Sequence, residues 1–284
     1  VYVSDSNNHR VVKWAPDAVE GVIVAGGNGQ GDDDNQIASP WGLYVNSSGD
    51  IYISDRGNAR VQLWKNGASS GTTVAGFSKS AGNALNQLNT PSDIDMDQNG
   101  YLYIMDSSNN RVLKWYPGDN EGVEIASESY NGSGWYLNWA QGLDVLDDGT
   151  LYVSDNNGTN VFKYNYDDNY KNPQVVFGGD GRGSGDNQFE YSYDVAIDSK
   201  MNIYVSDYGG KRIQKVQVAP EIFIKKGETS ASLTIIPIED DKDEENETII
   251  LEPENLVNVN SSLNKTYTLI INDDDDPEIV VISL

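Results

Sequence analysis

The sequence contains no cysteine, a single histidine and no long apolar run. The lack of cysteine excludes disulfides, thiolate zinc sites, iron–sulfur clusters and cysteine nucleophiles. With His9 alone, any site that needs two or more histidines is excluded as well. No apolar stretch approaches the roughly 20 residues that a transmembrane helix needs, so we expect no membrane insertion in this segment.

Basic residues are also scarce, because 19 Lys and Arg stand against 44 Asp and Glu, which gives a net charge of −25. So acidic a protein repels phosphate backbones and anionic lipid, and we therefore expect no nucleic-acid partner. The acidity is uneven: residues 219–284 carry a net charge of −12, and the much longer segment 1–218 carries −13. This change in composition predicts a boundary near Pro220 between two domains, residues 1–218 and 219–284.

A repeat of about 50 residues organises the first domain. The segment IYISDRGNARVQLW at residues 51–64 has four further copies with the same order of apolar, turn and basic residues. The aspartates of the five copies are 49–52 residues apart, at Asp5, Asp55, Asp106, Asp155 and Asp207. Five copies in one register predict a repeat architecture.

Each copy has the pattern of four strands. The LYVSD-type run alternates β-branched and aromatic residues with a period of two, and Asn-, Gly- and Ser-rich residues form a turn into an RVQLW-type run. A further strand follows, such as GVIVAG at residues 21–26, and another precedes the motif, such as DIDMD at residues 93–97. Because no amphipathic helix appears, the sequence predicts an all-β fold, a β-propeller of four-stranded blades.

The motif Asp-x-x-Asn-x-Arg-Val, preceded by Gly-x-Ile/Leu-Tyr-Val, resembles the NHL repeat. The resemblance spans about residues 1–218 and implies a propeller, usually with six blades. The fourth copy departs from the motif, since Asn160 replaces the arginine and Ala140 replaces the linker proline. An Asp–Arg pair that recurs from blade to blade indicates architecture, so we assign the pair no catalytic role.

The number of copies is smaller than the usual six blades. The first copy lacks its innermost strand and the fifth is followed by the domain boundary, so about five blades are present. Either the two ends complete a smaller ring, or further blades lie upstream in a longer parent protein. We favour the second alternative, a larger ring, because an open gap exposes two sheet faces.

The second domain contains strands of a different kind. The runs GETSASLTIIPIEDDKDEENETIIL and YTLIINDDDD resemble the second half of a Calx-beta domain, over about residues 221–284. The resemblance implies a partial immunoglobulin-like β-sandwich that can bind calcium at one end. By motif match, the positions of calcium ligands are Asp240, Asp241, Glu245, Asp273, Asp274 and Asp275. Hard divalent cations prefer carboxylate oxygens that converge from loops, so calcium is the cofactor that we expect.

Aromatic residues in the linkers between blades predict a ligand-binding rim. These residues are Trp41, Trp135, Tyr136 and Trp139. Binding residues are often placed on loops that a rigid scaffold positions, and we expect a protein or carbohydrate ligand at this rim.

The sequence therefore predicts a non-enzymatic protein of the extracellular space or cell surface. In this interpretation the propeller is a binding scaffold and the acidic module binds calcium. We expect no enzymatic activity, because no paired catalytic side chains stand out. The alternative is a propeller enzyme, of the lyase or hydrolase type, whose catalytic residues lie in blades missing from this chain.

Calcium should raise the thermal stability of the acidic domain. A ligand present at 100 times its Kd adds about 2.7 kcal/mol to the unit that binds it, which shifts the midpoint of a small domain by roughly 10 °C or more. Melting curves in EDTA and in about 1 mM calcium test this. The shift should disappear when Asp240, Asp241 and Asp274 are changed to Asn, and equal midpoints in the unchanged protein would show that the acidic segment is solvated surface.

Overall fold

The computed structural model describes residues 1–77, 80–116, 118–127, 137–157 and 159–217, together with four strands beyond residue 231. The chain forms two compact units, Val1–Val218 and Ala219–Leu284. Within the described ranges, no helix is long and apolar enough to cross a membrane.

The first unit is a propeller of five antiparallel sheets, called blades 1 to 5 in chain order. Blade 1 contains β1 (Tyr2–Asp5), β2 (Arg10–Lys13) and β3 (Val22–Gly26). Blade 2 contains β4 (Leu43–Val45), β5 (Ile51–Asp55), β6 (Arg60–Trp64) and β7 (Thr72–Ala75). Blade 3 contains β8 (Pro91–Met96), β9 (Leu102–Asp106), β10 (Arg111–Trp115) and β11 (Val123–Ser127).

Blade 4 contains β12 (Gly142–Val145), β13 (Leu151–Asp155), β14 (Asn160–Tyr164) and β15 (Gln174–Gly178). Blade 5 contains β16 (Ser192–Ile197), β17 (Asn202–Asp207) and β18 (Arg212–Gln217). The prediction of an all-β propeller with about five NHL-type blades is confirmed. In the described part of the chain, blades 2 to 4 have four strands each and the two end blades have three.

The first strand of each of blades 2 to 5 lies innermost in the propeller. β4, β8, β12 and β16 contact one another in that order, so they line the propeller axis. Blade 1 begins with β1, which corresponds to the second strand of the other blades. The inner wall of the described propeller is therefore built from four strands.

The turn after each motif aspartate ends in the same way in all five blades. It ends in a non-glycine residue with a left-handed φ of 49–59°. The five residues at this position are His9, Ala59, Asn110, Thr159 and Lys211. His9 is thus part of a repeated turn, and its Nδ1 accepts a hydrogen bond from the Ser39 backbone N–H at 3.1 Å.

Apolar side chains fill the space between adjacent blades. One cluster joins Val11 of blade 1 to Ile53 and Trp64 of blade 2, and a second joins Tyr52 of blade 2 to Trp115 of blade 3. Both tryptophans end equivalent strands and are at most 2% exposed. Each of blades 2 to 4 thus contributes to two such clusters, which explains why their strands need apolar residues on both faces.

The motif Asp–Arg pair fastens the linker that enters each blade. In blade 2, Arg60 Nε donates to Asp55 Oδ2 at 2.7 Å, and both side chains are fully buried. Asp55 Oδ1 accepts the backbone N–H of Ala38, while the other guanidinium nitrogens donate to linker carbonyls, including those of Asp33 and Gln36. One pair thus satisfies backbone groups that no sheet reaches.

The same fastening recurs where the arginine is present. Arg111 donates to Asp106 at 2.8 Å and to the carbonyls of Asn83, Ala84 and Gln87. Arg212 donates to Asp207 at 3.1 Å and to three linker carbonyls. In blade 1 the pair of Arg10 and Asp5 is partly exposed.

The second unit is described only as four strands. β19 (Ser232–Ile235) pairs antiparallel with β22 (Val280–Ser283), and β20 (Glu247–Leu251) pairs antiparallel with β21 (Tyr267–Ile271). The predicted immunoglobulin-like sandwich stays a prediction. The six proposed calcium ligands lie outside the described residues, and the Calx-beta resemblance is not supported beyond the sequence.

Replacing a buried arginine of the repeat should destabilise the propeller strongly. Arg60→Ala leaves the Asp55 carboxylate buried without its partner, which costs about 3–5 kcal/mol. Arg10→Ala removes the equivalent, partly exposed pair, whose interaction solvent screens, and should destabilise the protein much less. Urea unfolding of both variants measures the difference, and equal losses would show that burial of the pair does not matter.

Candidate active site

Four aspartates lie on the inner strands, at alternate positions that face the propeller axis. They are Asp93 and Asp95 of β8, Asp144 of β12 and Asp194 of β16. The residues between them, such as Ile94 and Val145, are buried in the cores between blades. Period-two alternation therefore directs the carboxylates toward the axis.

These carboxylates bind one blade to the next. Asp93 Oδ2 accepts the backbone N–H of Leu143 at 2.9 Å, and Asp95 Oδ2 accepts that of Val145 at 2.8 Å. Asp144 Oδ2 accepts the N–H of Ile197 in the same way. Side-chain oxygens thus replace the missing ladder bonds between adjacent inner strands.

Near the start of the inner strands, a glycine of one blade lies against an aspartate of the next blade. A Cβ on Gly142 would lie 2.4 Å from Asp194 Oδ1, and a Cβ on Gly42 would lie 2.6 Å from Asp93 Oδ1. Such distances are shorter than van der Waals contact. The order Gly42, Asp93, Gly142, Asp194 around the wall is therefore a packing requirement, since each aspartate needs a neighbour without a side chain.

The wall raises the pKa of three of the four carboxyls. Burial, followed by the neighbouring carboxyl of Asp144, raises the pKa of Asp95 to about 7. Burial, and then the charge of Asp194, places the pKa of Asp93 well above its usual value. Burial and the charge of Asp144 also raise the pKa of Asp194. Like charges this close favour a state in which carboxyls share protons.

Water nevertheless reaches this part of the channel. Asp93, Asp95 and Asp144 are only partly buried and Asp194 is exposed, although protein atoms surround Asp93, Asp95 and Asp194 closely. Asp95 and Asp144 stand at equivalent positions of the adjacent strands β8 and β12, opposite Tyr103 and Tyr152. The result is a carboxyl pair that is partly desolvated and still open to a reactant from one side.

The inner-wall carboxylates are groups that can perform acid–base chemistry. Within the described ranges, no group of three or more His, Cys, Asp or Glu side chains could hold a metal ion. Each inner-wall carboxylate already accepts one or more backbone N–H groups, which reduces the oxygen lone pairs left for a cation. A carboxyl pair that shares a proton can give one proton and take another.

The predicted aromatic rim is divided between different parts of the propeller. Trp41 lies before blade 2, where the Arg56 guanidinium stacks on its ring at 4.3 Å. Trp139 lies before blade 4, is 68% exposed and lines a cleft with residues of blade 5. Trp135 and Tyr136 lie outside the described residues. The structure thus assigns one predicted rim residue, Trp139, to a cleft.

The inner-wall aspartates were missed as site residues in the sequence. Asp93 and Asp95 were visible only as part of the strand DIDMD, and Asp144 as part of GLDVL. The signal was the alternation of aspartate on a strand predicted to be innermost, because such residues must face the channel. The proximity of Asp95 to Asp144 requires blades 3 and 4 to pack together, since the two residues lie on different blades.

Comparison with known proteins supports the repeat. Residues 38–63, which run from the linker through β6, match the family model of the NHL repeat. The chain has no significant match among curated protein sequences.

Solved structures of lyases match the chain at low identity. A streptogramin B lyase is 12% identical, with 78% of this chain and 65% of that chain covered and a TM-score of 0.49. A selenomethionine-substituted virginiamycin B lyase from Staphylococcus aureus is 10% identical, with coverage of 78% and 67% and a TM-score of 0.45. A catalytically inactive virginiamycin B lyase variant from the same organism, with quinupristin, is 10% identical, with coverage of 76% and 65% and a TM-score of 0.46.

These matches have a limited scope. The chain covers less than two thirds of the length of the first of these structures. At such identities and TM-scores, no residue role and no reaction is transferred from them to this chain.

The comparison corrects the main functional expectation. The sequence predicted a non-enzymatic extracellular or cell-surface binding scaffold, and that interpretation is wrong on this finding, because the matched propellers are lyases, an enzyme type. The alternative, a propeller enzyme, agrees better with it. The expectations of calcium, of a protein or carbohydrate partner and of an extracellular location stay predictions.

The raised pKa of Asp95 should make stability depend on pH. The folded protein keeps this proton up to about pH 7, whereas the unfolded chain releases it near 3.8, so ionisation destabilises the fold as pH rises between these values. Asp95→Asn lacks this step. We expect the variant to gain stability relative to the unchanged protein from pH 4 to 7, and to keep a constant difference above pH 7.

Urea unfolding at pH 4.5, 6, 7 and 8 measures this dependence. Asp147→Asn is the matched control, because Asp147 is an exposed carboxylate in the turn that follows β12. Parallel stability curves for the unchanged protein and Asp95→Asn would show that Asp95 ionises at an ordinary pH.

Proposed function

We propose that the propeller unit is a hydrolytic enzyme whose acid–base groups are Asp95 and Asp144 in the central channel. The observation that supports this most directly is the position of the two carboxyl groups on the adjacent inner strands β8 and β12, where Asp144 contributes to the raised pKa of Asp95. The proposal develops the alternative of a propeller enzyme, and it locates the reactive groups in blades that this chain contains.

The pair can perform both proton transfers of a hydrolysis. In the resting state the two carboxyls hold one proton between them. The ionised carboxyl takes a proton from water as the water oxygen attacks the substrate, and the protonated carboxyl gives its proton to the leaving group as the scissile bond breaks. One proton enters and one leaves, so the pair is regenerated with the same charge.

Backbone N–H groups orient the pair. Asp95 accepts hydrogen bonds from the N–H of Met96 at 2.8 Å and of Val145 at 2.8 Å. Asp144 accepts one from Ile197. These bonds hold the carboxyl planes in place and favour the ionised forms, while burial favours the protonated form. The balance raises the pKa of Asp95 to about 7, so this carboxyl keeps its proton below neutral pH.

The architecture alone does not require carboxylates at these positions. At the equivalent positions of the inner wall, blade 2 has Tyr44 and blade 5 has Ala196. Blades 2 and 5 therefore form their inner strands without an aspartate there. Aspartates occur at this position only in the neighbouring blades 3 and 4. A pair that occurs once fits a single reactive site, whereas the Asp–Arg pairs recur from blade to blade and serve the architecture.

Loss of either carboxyl should abolish most of the turnover. Asp95→Asn and Asp144→Asn each remove the shared proton, and general acid–base catalysis is worth about 10²–10⁴-fold in rate. Nitrophenyl glycosides, nitrophenyl esters and short amide substrates supply the assay, and kcat should fall by at least about 100-fold in both variants. Asp147→Asn should retain the activity of the unchanged protein.

A direct titration keeps the proposal testable before a substrate is found. Carboxyl-¹³C NMR of aspartate-labelled protein should show one resonance with a midpoint near pH 7 that disappears in Asp95→Asn. Replacing Asp144 by Asn should move that midpoint downward, because a neighbouring charge is removed. A midpoint below about 4.5, or turnover that survives in Asp95→Asn, would overturn the proposal.

A further inference from the structure

A cleft of about 380 Å³ lies between blades 4 and 5, on the face formed by the linkers and the motif turns. It is called the Trp139 cleft, and its lining consists of Trp139, Asn156, Asn157, Tyr191, Tyr193 and Tyr208. All six side chains are uncharged, in a protein of net charge −25. Aromatic faces and amide groups therefore define what can bind there.

Backbone hydrogen bonds between the linkers and the motif turns hold this cleft in shape before any ligand binds. The N–H of Asn157 donates to the carbonyl of Asn138 at 3.0 Å, and the N–H of Tyr208 donates to the carbonyl of Tyr191 at 2.9 Å. The same linker-to-turn bond occurs in blade 2, between Gly57 and Ala38. The repeat architecture thus holds the cleft residues in fixed positions.

Trp139 is placed on the surface against its own backbone preference. Its φ is +58°, and the equivalent positions before blades 2 and 3 hold the smaller Ser39 and Thr90, with φ of 50° and 52°. A bulky side chain is uncommon in this left-handed region and is strained there. Because the indole is 68% exposed, packing does not explain why a tryptophan stands at this strained position, whereas a role in binding does.

The tyrosines provide further ring surface around Trp139. Tyr193 and Tyr208 lie with ring centroids 5.1 Å apart, and Tyr208 is 71% exposed. The guanidinium of Arg182 stacks on the ring of Tyr191 at 4.2 Å and donates to the Asn157 side chain at 2.9 Å. The Tyr191 ring is thereby held in place at the edge of the cleft.

Asn156 brings an unused hydrogen-bond donor to the cleft. The residue is only 8% exposed, and its Nδ2 has no hydrogen-bond partner in the described part of the protein. A buried donor without a partner destabilises a protein by about 1–3 kcal/mol, so native structures rarely leave one unpaired. The Nδ2 group is therefore a donor for an oxygen of a bound molecule.

We infer that the Trp139 cleft binds a neutral carbohydrate, and that this carbohydrate is the substrate class of the channel. The aromatic faces pack against the apolar C–H face of a sugar ring, while the asparagine amides and tyrosine hydroxyls bind its hydroxyl groups. The carboxylates of the channel disfavour an anionic ligand. The catalytic part of this inference rests on the proposed function, and the binding part does not.

The cleft adjoins the channel through β16. Tyr193 lines the cleft, and the next residue along the strand, Asp194, is one of the four inner-wall aspartates. In this inference one sugar chain occupies both sites, and the bond that the carboxyl pair cleaves is glycosidic.

Binding to the Asp95→Asn variant tests the cleft apart from catalysis. Cellohexaose, xylohexaose, chitohexaose and maltohexaose are titrated by calorimetry, and at least one should bind. Trp139→Ala and Asn156→Leu, each made in the same background, should weaken that binding at least tenfold. Trp14→Ala is the matched control, because Trp14 is 38% exposed on blade 1, and it should leave the affinity unchanged.

The outcomes separate the two proposals. Binding that depends on Trp139 without any hydrolysis of the same sugar by the unchanged protein supports the cleft and contradicts the acid–base pair. Hydrolysis that fails in Asp95→Asn and survives in Trp139→Ala contradicts the cleft alone. No binding of any of the four sugars at 5 mM, or tighter binding of a short neutral peptide than of every sugar, overturns the carbohydrate inference.

Discussion

The buried pair of Asp55 and Arg60 is the interaction on which the rest of the propeller depends. Adjacent blades are joined by linkers that belong to no sheet, so their carbonyl groups need partners from side chains. A guanidinium supplies several donors in a fixed plane, and one carboxylate both neutralises its charge and accepts the linker N–H of Ala38. Once the linker is fixed, the start of the next inner strand is fixed as well.

The inner wall repeats this solution at the axis. Inner strands of neighbouring blades twist away from one another and do not form a continuous ladder, so Asp93 and Asp95 supply the missing acceptors to Leu143 and Val145. The use of aspartates as acceptors between inner strands has an electrostatic consequence, because it places several carboxyl groups close together on the inner wall. Holding the blades together and raising the pKa of Asp95 are therefore two effects of one arrangement.

The repeat could be predicted from the sequence because its information is local. The alternation in LYVSD, the turn residues and the Asp–Arg spacing each lie within fourteen residues, and they recur in five copies, with the arginine present in four of them. The carboxyl pair is different, since Asp95 and Asp144 meet only when blades 3 and 4 pack. The unpaired amide of Asn156 is also invisible in sequence, because burial and missing partners are properties of the folded chain.

Blade 4 shows where the repeat gives way to a site. It is the copy in which Asn160 replaces the motif arginine and Ala140 replaces the linker proline, and it also contributes Trp139 and Asn156 to the cleft. The linker before blade 4 has no motif arginine to bind its carbonyl groups, so other side chains can occupy its surface positions, and the blade departs from the repeat pattern. Departures from a structural consensus are expected where function imposes its own demands, because a residue cannot meet both requirements at once. Blade 4, the least regular blade, thus contributes to both the carboxyl pair and the aromatic cleft. Blades 2 and 3 keep the Asp–Arg pairs of the repeat and supply the stable scaffold beside it.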